Sequence, residues 1–233
     1  MDIVYTLSNN YDGDELKYSL RSLVNLPHDR VFFVGGCPRW AKNIIHIPTE
    51  QNGTKWENSL NNIRTACKDE RLSANFILMN DDFFILEPIK TPTKELNLYN
   101  DNIAGQISKL QQKPNPPGNY IRGLIGTREF IQRLGVADPL SYELHTPFLF
   151  NKKKLQKTFD LEGANCVKFL QIRSLYGNLH LKGSTSQKDV KVFLRQGFVP
   201  KNVGKFLSCD NGGFSILHNF LFCKFPNKSD YEI

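Results

Sequence analysis

The chain has 233 residues, of which 40% are hydrophobic and 23% are charged, a balance typical of a globular protein and not of a disordered or fibrous one. This length suits one large domain with a full hydrophobic core. The formal charge of +7 favours an anionic partner, such as a nucleotide diphosphate, a nucleic acid or an anionic membrane surface. No apolar run approaches the length of a membrane span and the amino terminus lacks a secretory pattern, so we expect a cytoplasmic protein.

The first part of the chain alternates apolar strands with amphipathic helices. This alternation predicts an α/β fold with a mostly parallel sheet and helices on its faces. In the first helix, leucines recur on one face and acidic residues occupy the first turn, where the helix dipole favours them. The predicted elements are strands at residues 3–7, 31–34 and 43–47 and helices at residues 14–24 and 57–67.

The next apolar run, residues 75–86, is interrupted by two adjacent carboxylates, Asp81 and Asp82. A strand this apolar is normally covered on both faces, and open α/β sheets bind ligands beyond the carboxyl ends of their strands. Two carboxylates at such a position predict a site for Mg²⁺ or Mn²⁺ carrying a phosphate-bearing substrate. The alternative is a turn that only ends the strand, since these residue types also favour turns.

Beyond residue 90 the pattern loosens because prolines interrupt it. Residues 113–119 are predicted to form a polar, rigid loop, and helices are predicted at residues 128–134, 152–159 and 166–176. There is no repeat and no shift in composition that would mark a domain boundary. We therefore predict a single domain, with residues 1–90 as a nucleotide-binding half and residues 91–233 as a more helical, acceptor-side half.

Five segments follow one another in the order seen in the Stealth family of sugar-phosphate transferases. The chain resembles that family over most of residues 1–160, and it departs from the family where Thr6-Leu-Ser-Asn9 replaces the usual Trp-Val-Asp-Gly and where Thr-Pro-Phe follows His145. The resemblance implies a single Rossmann-like domain of the GT-A type. The segments are 14–23, 31–40, 56–59, 76–83 and 145–148.

The resemblance, with these departures, implies a metal-dependent glycosyltransferase that moves a sugar from a nucleotide-diphosphate sugar, UDP-linked by preference, to a hydroxyl. Similar small enzymes are encoded by bacteriophages and by bacterial surface-polysaccharide loci, so a phage enzyme in the host cytoplasm is one reading. The acceptor is then a hydroxyl of modified DNA, of a glycan or of a protein. Two alternatives remain open: a Stealth-type sugar-1-phosphate transferase, and a non-catalytic nucleic-acid-binding protein suggested by charge alone.

Several side chains are predicted to hold the donor. Lys17 and Arg21 lie four residues apart on the first predicted helix and would clamp the nucleotide if their shared face borders the crevice. Tyr5 and Thr6, at the end of the first strand, would flank the base. Asn58 would reach the nucleotide or the sugar, as the similar Asn-Ser pair of the family implies.

Two histidines complete the predicted site. His145 matches a histidine of the family and is expected to act in acid/base catalysis or in positioning the acceptor. His218 follows a polar loop near the carboxyl end of the chain, and GT-A enzymes often use a late histidine as a further metal ligand. An imidazole beside Asp81 and Asp82 would favour Mn²⁺ over Mg²⁺.

Overall fold

A computed structural model describes residues 1–201, 203–210 and 212–233 of the chain. The strands are β1 (Asp2–Leu7), β2 (Val31–Gly35), β3 (Ile44–Ile47), β4 (Asn75–Met79), β5 (Phe83–Ile85), β6 (Leu98–Tyr99), β7 (Phe148–Asn151), β8 (Thr185–Ser186), β9 (Lys191–Val192) and β10 (Phe206–Cys209). The helices are α1 (Glu15–Ser22), α2 (Lys55–Lys68), α3 (Pro92–Glu95), α4 (Ile103–Gln111), α5 (Gly118–Arg133), α6 (Lys152–Phe159), α7 (Ile172–His180) and α8 (Phe214–Lys224).

The central sheet has five strands in the order β3-β2-β1-β4-β7. The first four are parallel to their neighbours, whereas β7 runs antiparallel to β4. The predicted α/β fold with a mostly parallel sheet is confirmed. The carboxyl ends of β1, β2, β3 and β4 therefore lie along one edge of this sheet, which we call the carboxyl edge.

Both faces of the central sheet are covered at its middle strands, which explains the apolar runs within β1, β2 and β4. In β1, Ile3 and Tyr5 face the cluster that contains Leu16 of α1, whereas Val4 faces the cluster that contains Ile63 of α2. Successive side chains of a strand point to opposite faces, so the part of a strand that is covered on both sides is apolar at successive positions.

Helix α2 begins two residues before its predicted start because the chain supplies a capping box there. The Thr54 hydroxyl accepts from the backbone N–H of Glu57, and the Glu57 carboxylate accepts in return from the backbone N–H of Thr54. These two bonds satisfy donors that the first turn of a helix leaves without intrahelical partners.

In the second half of the chain, two of the predicted helices differ from those in the structure. The helix predicted at residues 166–176 is wrong: a short 3-10 turn ends at Cys166, and α7 begins only at Ile172. Phe169, between them, has a φ of 56°, and this left-handed conformation cannot continue a right-handed helix. The helix predicted at residues 128–134 is the last part of the longer α5, whose start at Gly118 also shortens the predicted loop. Helix α6 has the predicted bounds.

Both large sheets contain strands from both halves of the chain. Strand β7 joins the central sheet, and β10 pairs with β5 in a second sheet of order β5-β10-β9. Strands β6 and β8 form a third, two-stranded sheet. In the part of the chain that the structure describes, no helix is both long enough and apolar enough to cross a bilayer.

Candidate active site

The turn between β4 and β5 places Asn80, Asp81 and Asp82 at the carboxyl edge of the central sheet. Strand β4 stops there because its continuation, β5, leaves the central sheet and pairs with β10 instead. The two carboxylates predicted from sequence thus lie where parallel sheets bind their ligands.

Asp82 carries a buried carboxylate oxygen that has no partner in the part of the chain that the structure describes. Its Oδ2 accepts from Nζ of Lys191 and from the hydroxyl of Ser208, both at 3.3 Å. Its Oδ1 is buried and has no hydrogen-bond partner among the residues that the structure describes. Because an unmatched buried oxygen costs free energy, Oδ1 lies where a cation would be stabilised.

Asp81 is held in an environment that disfavours its negative charge. Burial, and secondarily the charge of neighbouring Asp82, raise the pKa of Asp81 to about 6. The buried hydroxyl of Tyr11 lies close to this carboxylate and acts in the opposite direction, lowering the pKa of Asp81. A divalent cation would offset the repulsion between the two carboxylates, so this donor set fits Mn²⁺ or Mg²⁺.

Asp81→Asn should make the metal-free protein more stable at pH 8. The pKa is raised above its unfolded value, so the folded state prefers the proton, and the penalty appears as the pH rises from about 4 to about 6. We expect a gain of about 1–3 kcal/mol in the free energy of unfolding at pH 8 and almost none at pH 4. Chemical denaturation in EDTA at both pH values measures it. An equal gain at both would attribute the effect to packing.

A buried cation lies behind the Asn80–Asp82 turn. Arg173 of α7 donates from Nη2 to Asn80 Oδ1 at 3.3 Å and from Nη1 to the carbonyl of Leu144 at 2.8 Å, and its guanidinium lies over the ring of Phe83. Burial lowers the pKa of Arg173, and the nearby carboxylate of Glu143 acts in the opposite direction. Sequence analysis missed both residues, although a lone arginine in an apolar helix is a usable signal.

His145 lies beside this turn and is held by a second carboxylate. Its Nδ1 is 2.8 Å from Oδ2 of Asp189, its backbone N–H donates to Oδ1, and its ring packs edge-on against Phe83. Although burial acts to raise it, the hydrogen bonds from His145 hold the pKa of Asp189 below its ordinary value. A neutral imidazole in this arrangement carries its proton on Nδ1, which leaves the Nε2 lone pair free to accept one.

Tyr5 and Thr6, predicted to flank the base, differ in their exposure to solvent. Tyr5 is fully buried, and its hydroxyl is 2.9 Å from that of Ser19, which in turn donates to the carbonyl of Phe83. The ring of Tyr5 is thus part of the core and has no surface on which a base could stack, because it packs against α1 on that face of the sheet. Thr6 points to the other face of β1 and is half-buried.

The predicted pair Lys17 and Arg21 is not brought together with Asp81 and Asp82. Lys17 donates to Asp14 at 2.7 Å, and Arg21 forms a two-bond ion pair with Glu232 at 2.9 and 2.7 Å. Helix α1 runs back from the carboxyl edge, so Arg21 lies one turn farther away than Lys17. Its guanidinium fastens the carboxyl-terminal segment to the helix.

Asn58 and His218 are also engaged elsewhere. Asn58 bonds through both its amide atoms to the backbone of Gly53 and closes the loop before α2. His218 is exposed on α8, with its Nε2 3.3 Å from the hydroxyl of Tyr18. No group of three or more His, Cys, Asp or Glu side chains suited to a metal is found in the described part of the chain, so the set predicted with His218 is not assembled.

The whole chain superposes on solved structures. One is the galactosyltransferase LgtC in complex with donor and acceptor sugar analogues, with a TM-score of 0.53 and 12% identity over 99% of this chain and 98% of that one. The other is an active-site mutant of LgtC, with a TM-score of 0.50 and 13% identity over the same shares.

The chain has the GT-A fold. At this level of identity the likeness shows the fold and nothing finer. No family model matches the chain. No curated protein sequence matches it either, so the resemblance to the Stealth family finds no support beyond the motifs themselves. In this GT-A fold, one turn at the carboxyl edge carries Asp81 and Asp82. Around it lie Arg173 and His145, the latter held by Asp189.

Proposed function

We propose that the protein is a metal-dependent glycosyltransferase that moves a sugar from a nucleoside-diphosphate sugar, with UDP as the expected nucleotide, to a hydroxyl acceptor. The observation that carries this proposal is Oδ1 of Asp82, which is buried and has no hydrogen-bond partner among the described residues. It lies at the carboxyl edge beside Asp81, whose negative charge is disfavoured. The GT-A fold supports it, because LgtC has been solved with donor and acceptor sugar analogues.

Asp82 and Asp81 would hold a divalent cation through their carboxylate oxygens. When bound, Mn²⁺ or Mg²⁺ would act as a Lewis acid toward the diphosphate of the donor. Lys191 would add a second positive charge beside the metal, since its ammonium lies 3.3 Å from Asp82 Oδ2. Negative charge develops on the leaving diphosphate as the bond to the sugar breaks, and fixed positive charge at that place lowers the barrier.

His145 would receive the proton of the acceptor hydroxyl. Asp189 accepts a hydrogen bond from Nδ1–H and fixes the ring in the tautomer whose Nε2 can act as a base. The oxygen of the acceptor then forms the new bond to the anomeric carbon while the bond from that carbon to the diphosphate oxygen breaks. Arg173 and Glu143 would keep the Asn80–Asp82 turn in place from below.

Only the net charge of the protein bears on the class of acceptor. The +7 charge is compatible with a hydroxyl on modified DNA, as well as on a glycan or a protein, within a cytoplasmic setting. Duplex binding that falls log-linearly with salt, together with transfer to hydroxymethylated but not to unmodified DNA, would identify the first of these.

The proposal predicts that UDP will stabilise the protein only when Mn²⁺ is present. A ligand at 100 times its Kd adds about 2.7 kcal/mol to the free energy of unfolding, which raises the Tm by several degrees in a chain of this size. Thermal unfolding with Mn²⁺ and UDP, and with EDTA and UDP as the control, measures this. Absence of any Mn²⁺-dependent shift across UDP, GDP, CDP and ADP would contradict the proposal.

Product mass then separates the two transfer reactions. A glycosyltransferase adds the sugar alone to the acceptor and releases the nucleoside diphosphate. A Stealth-type transferase adds the sugar with one phosphate and releases the nucleoside monophosphate, so the two products differ by one phosphate group in mass.

A further inference from the structure

A cavity of about 610 Å³ opens beside the candidate active site, along the edge of the second sheet. Strand β9 is only two residues long, so it leaves the neighbouring part of β10 uncovered, and the cavity lies against that uncovered edge. Its apolar wall includes Leu98, Val192 and Phe206, and Gln187 and Gln196 add neutral hydrogen-bonding groups. An apolar wall with amide groups suits the face and the hydroxyls of a sugar ring.

The cavity is lined by four lysines and only two carboxylates. Both carboxylates are already engaged, Glu95 by Lys205 and by two backbone N–H groups, and Asp189 by His145. Lys94 and Lys188 form no ion pair within residues 1–201, 203–210 and 212–233. The cavity therefore has unbalanced positive charge at Lys94 and Lys188.

The same cavity is joined to the proposed reaction centre by two of its own lining residues. Asp189 holds His145, and Lys191 reaches Asp82. The cavity therefore lies next to the side chain that holds the proposed base and the side chain that pairs with the proposed metal ligand. This continuity makes the cavity a place for the acceptor rather than for a remote effector.

We propose that this cavity is the acceptor subsite and that it selects a sugar bearing a negatively charged group, a carboxylate or a phosphate. The anionic group pairs with Lys94 and Lys188, while the ring lies against the apolar wall. This inference rests on the proposed glycosyl transfer and names its acceptor class. The volume suits a mono- or disaccharide, and a nucleic-acid duplex is too wide to enter a space of this size.

Binding of small sugars by protein-observed NMR tests the proposal without a donor. The probes are cellobiouronic acid against neutral cellobiose, and glucose 6-phosphate against glucose, so that carboxylate and phosphate are distinguished. The variants are Lys94→Ala/Lys188→Ala and, as a control with the same loss of charge, Lys113→Ala/Lys168→Ala, which removes two exposed lysines from other surfaces.

We expect the protein to bind at least one acidic probe about tenfold more tightly than its neutral counterpart, as two exposed ion pairs allow, and to lose this preference at high salt. The Lys94/Lys188 variant should lose the preference and keep its affinity for the neutral sugar. The control variant should stay within about twofold of the wild type.

Equal affinity for acidic and neutral probes, no binding of either, or equal losses in the two double variants would overturn the proposal. A 12-base-pair duplex whose binding weakens equally in both variants would assign the lysines to a general cationic surface and would also overturn it. Failure of the underlying glycosyl transfer is recognised separately, since it removes the Mn²⁺-dependent stabilisation by UDP, which none of these lysine variants should alter.

Discussion

Asp82→Asn should reduce turnover at least 100-fold while leaving the fold intact. The substitution removes one negative charge and keeps the shape of the side chain, and loss of a metal-binding charge costs several kcal/mol of transition-state stabilisation. The substitution takes the ion-pair partner from Lys191, but it also removes the repulsion between Asp82 and Asp81. These effects oppose each other, so the free energy of unfolding should change by less than about 1 kcal/mol.

Release of UDP from a nucleotide sugar measures the turnover, and calorimetry with Mn²⁺ measures the binding without any acceptor. Glu87→Gln is the matched control, since Glu87 is an exposed carboxylate a few residues farther along the same segment. Retention of more than about a tenth of wild-type turnover at saturating Mn²⁺ would remove Asp82 from the metal site.

Arg21→Ala should destabilise the protein by about 3 kcal/mol and leave UDP affinity unchanged. The side chains of Arg21 and Glu232 are only 12% and 4% exposed, so the substitution leaves a buried carboxylate without its cation. The backbone N–H and hydroxyl of Ser229 still donate to Glu232, which limits the cost. The nucleotide clamp predicted from sequence implies the reverse, a loss of UDP affinity with little loss of stability.

The effect of Arg21→Ala should depend on pH in a defined direction. Although burial acts to raise it, the bonds from Arg21 hold the pKa of Glu232 below its ordinary value. The ion pair therefore contributes its full stability above the unfolded pKa of about 4.5, and the contribution is lost as the pH falls through the lower folded pKa. Urea denaturation at pH 7 and pH 4 should show the difference between wild type and variant shrinking at the lower pH.

Lys109→Ala is the control for this prediction. Lys109 pairs with Asp101 at the surface, with side chains 70% and 33% exposed, and an exposed pair contributes no more than about 1 kcal/mol. Equal destabilisation by the two substitutions would mean that the Arg21–Glu232 pair gains nothing from its burial.

The sequence by itself determined the parallel part of the central sheet. Apolar strands alternating with amphipathic helices require a sheet covered on both faces, and parallel strands bring their carboxyl ends to one edge. For this reason Asp81 and Asp82 could be placed at that edge from the end of one apolar run. Periodicity wrongly predicted a helix at residues 166–176. The left-handed φ of Phe169 interrupts that stretch, and α7 begins only after it.

Only the tertiary structure decided which charged groups meet. Asp82 and Lys191 are 109 residues apart, His145 and Asp189 are 44 apart, and Arg21 and Glu232 are 211 apart. The spacing of residues along a helix or strand constrains neighbours within a few positions, but it carries no information on which of the 30 lysines and arginines approaches a given carboxylate. That choice follows from how the second half of the chain folds back onto the carboxyl edge. The same packing turns Arg21 from a predicted nucleotide ligand into the partner of a buried glutamate.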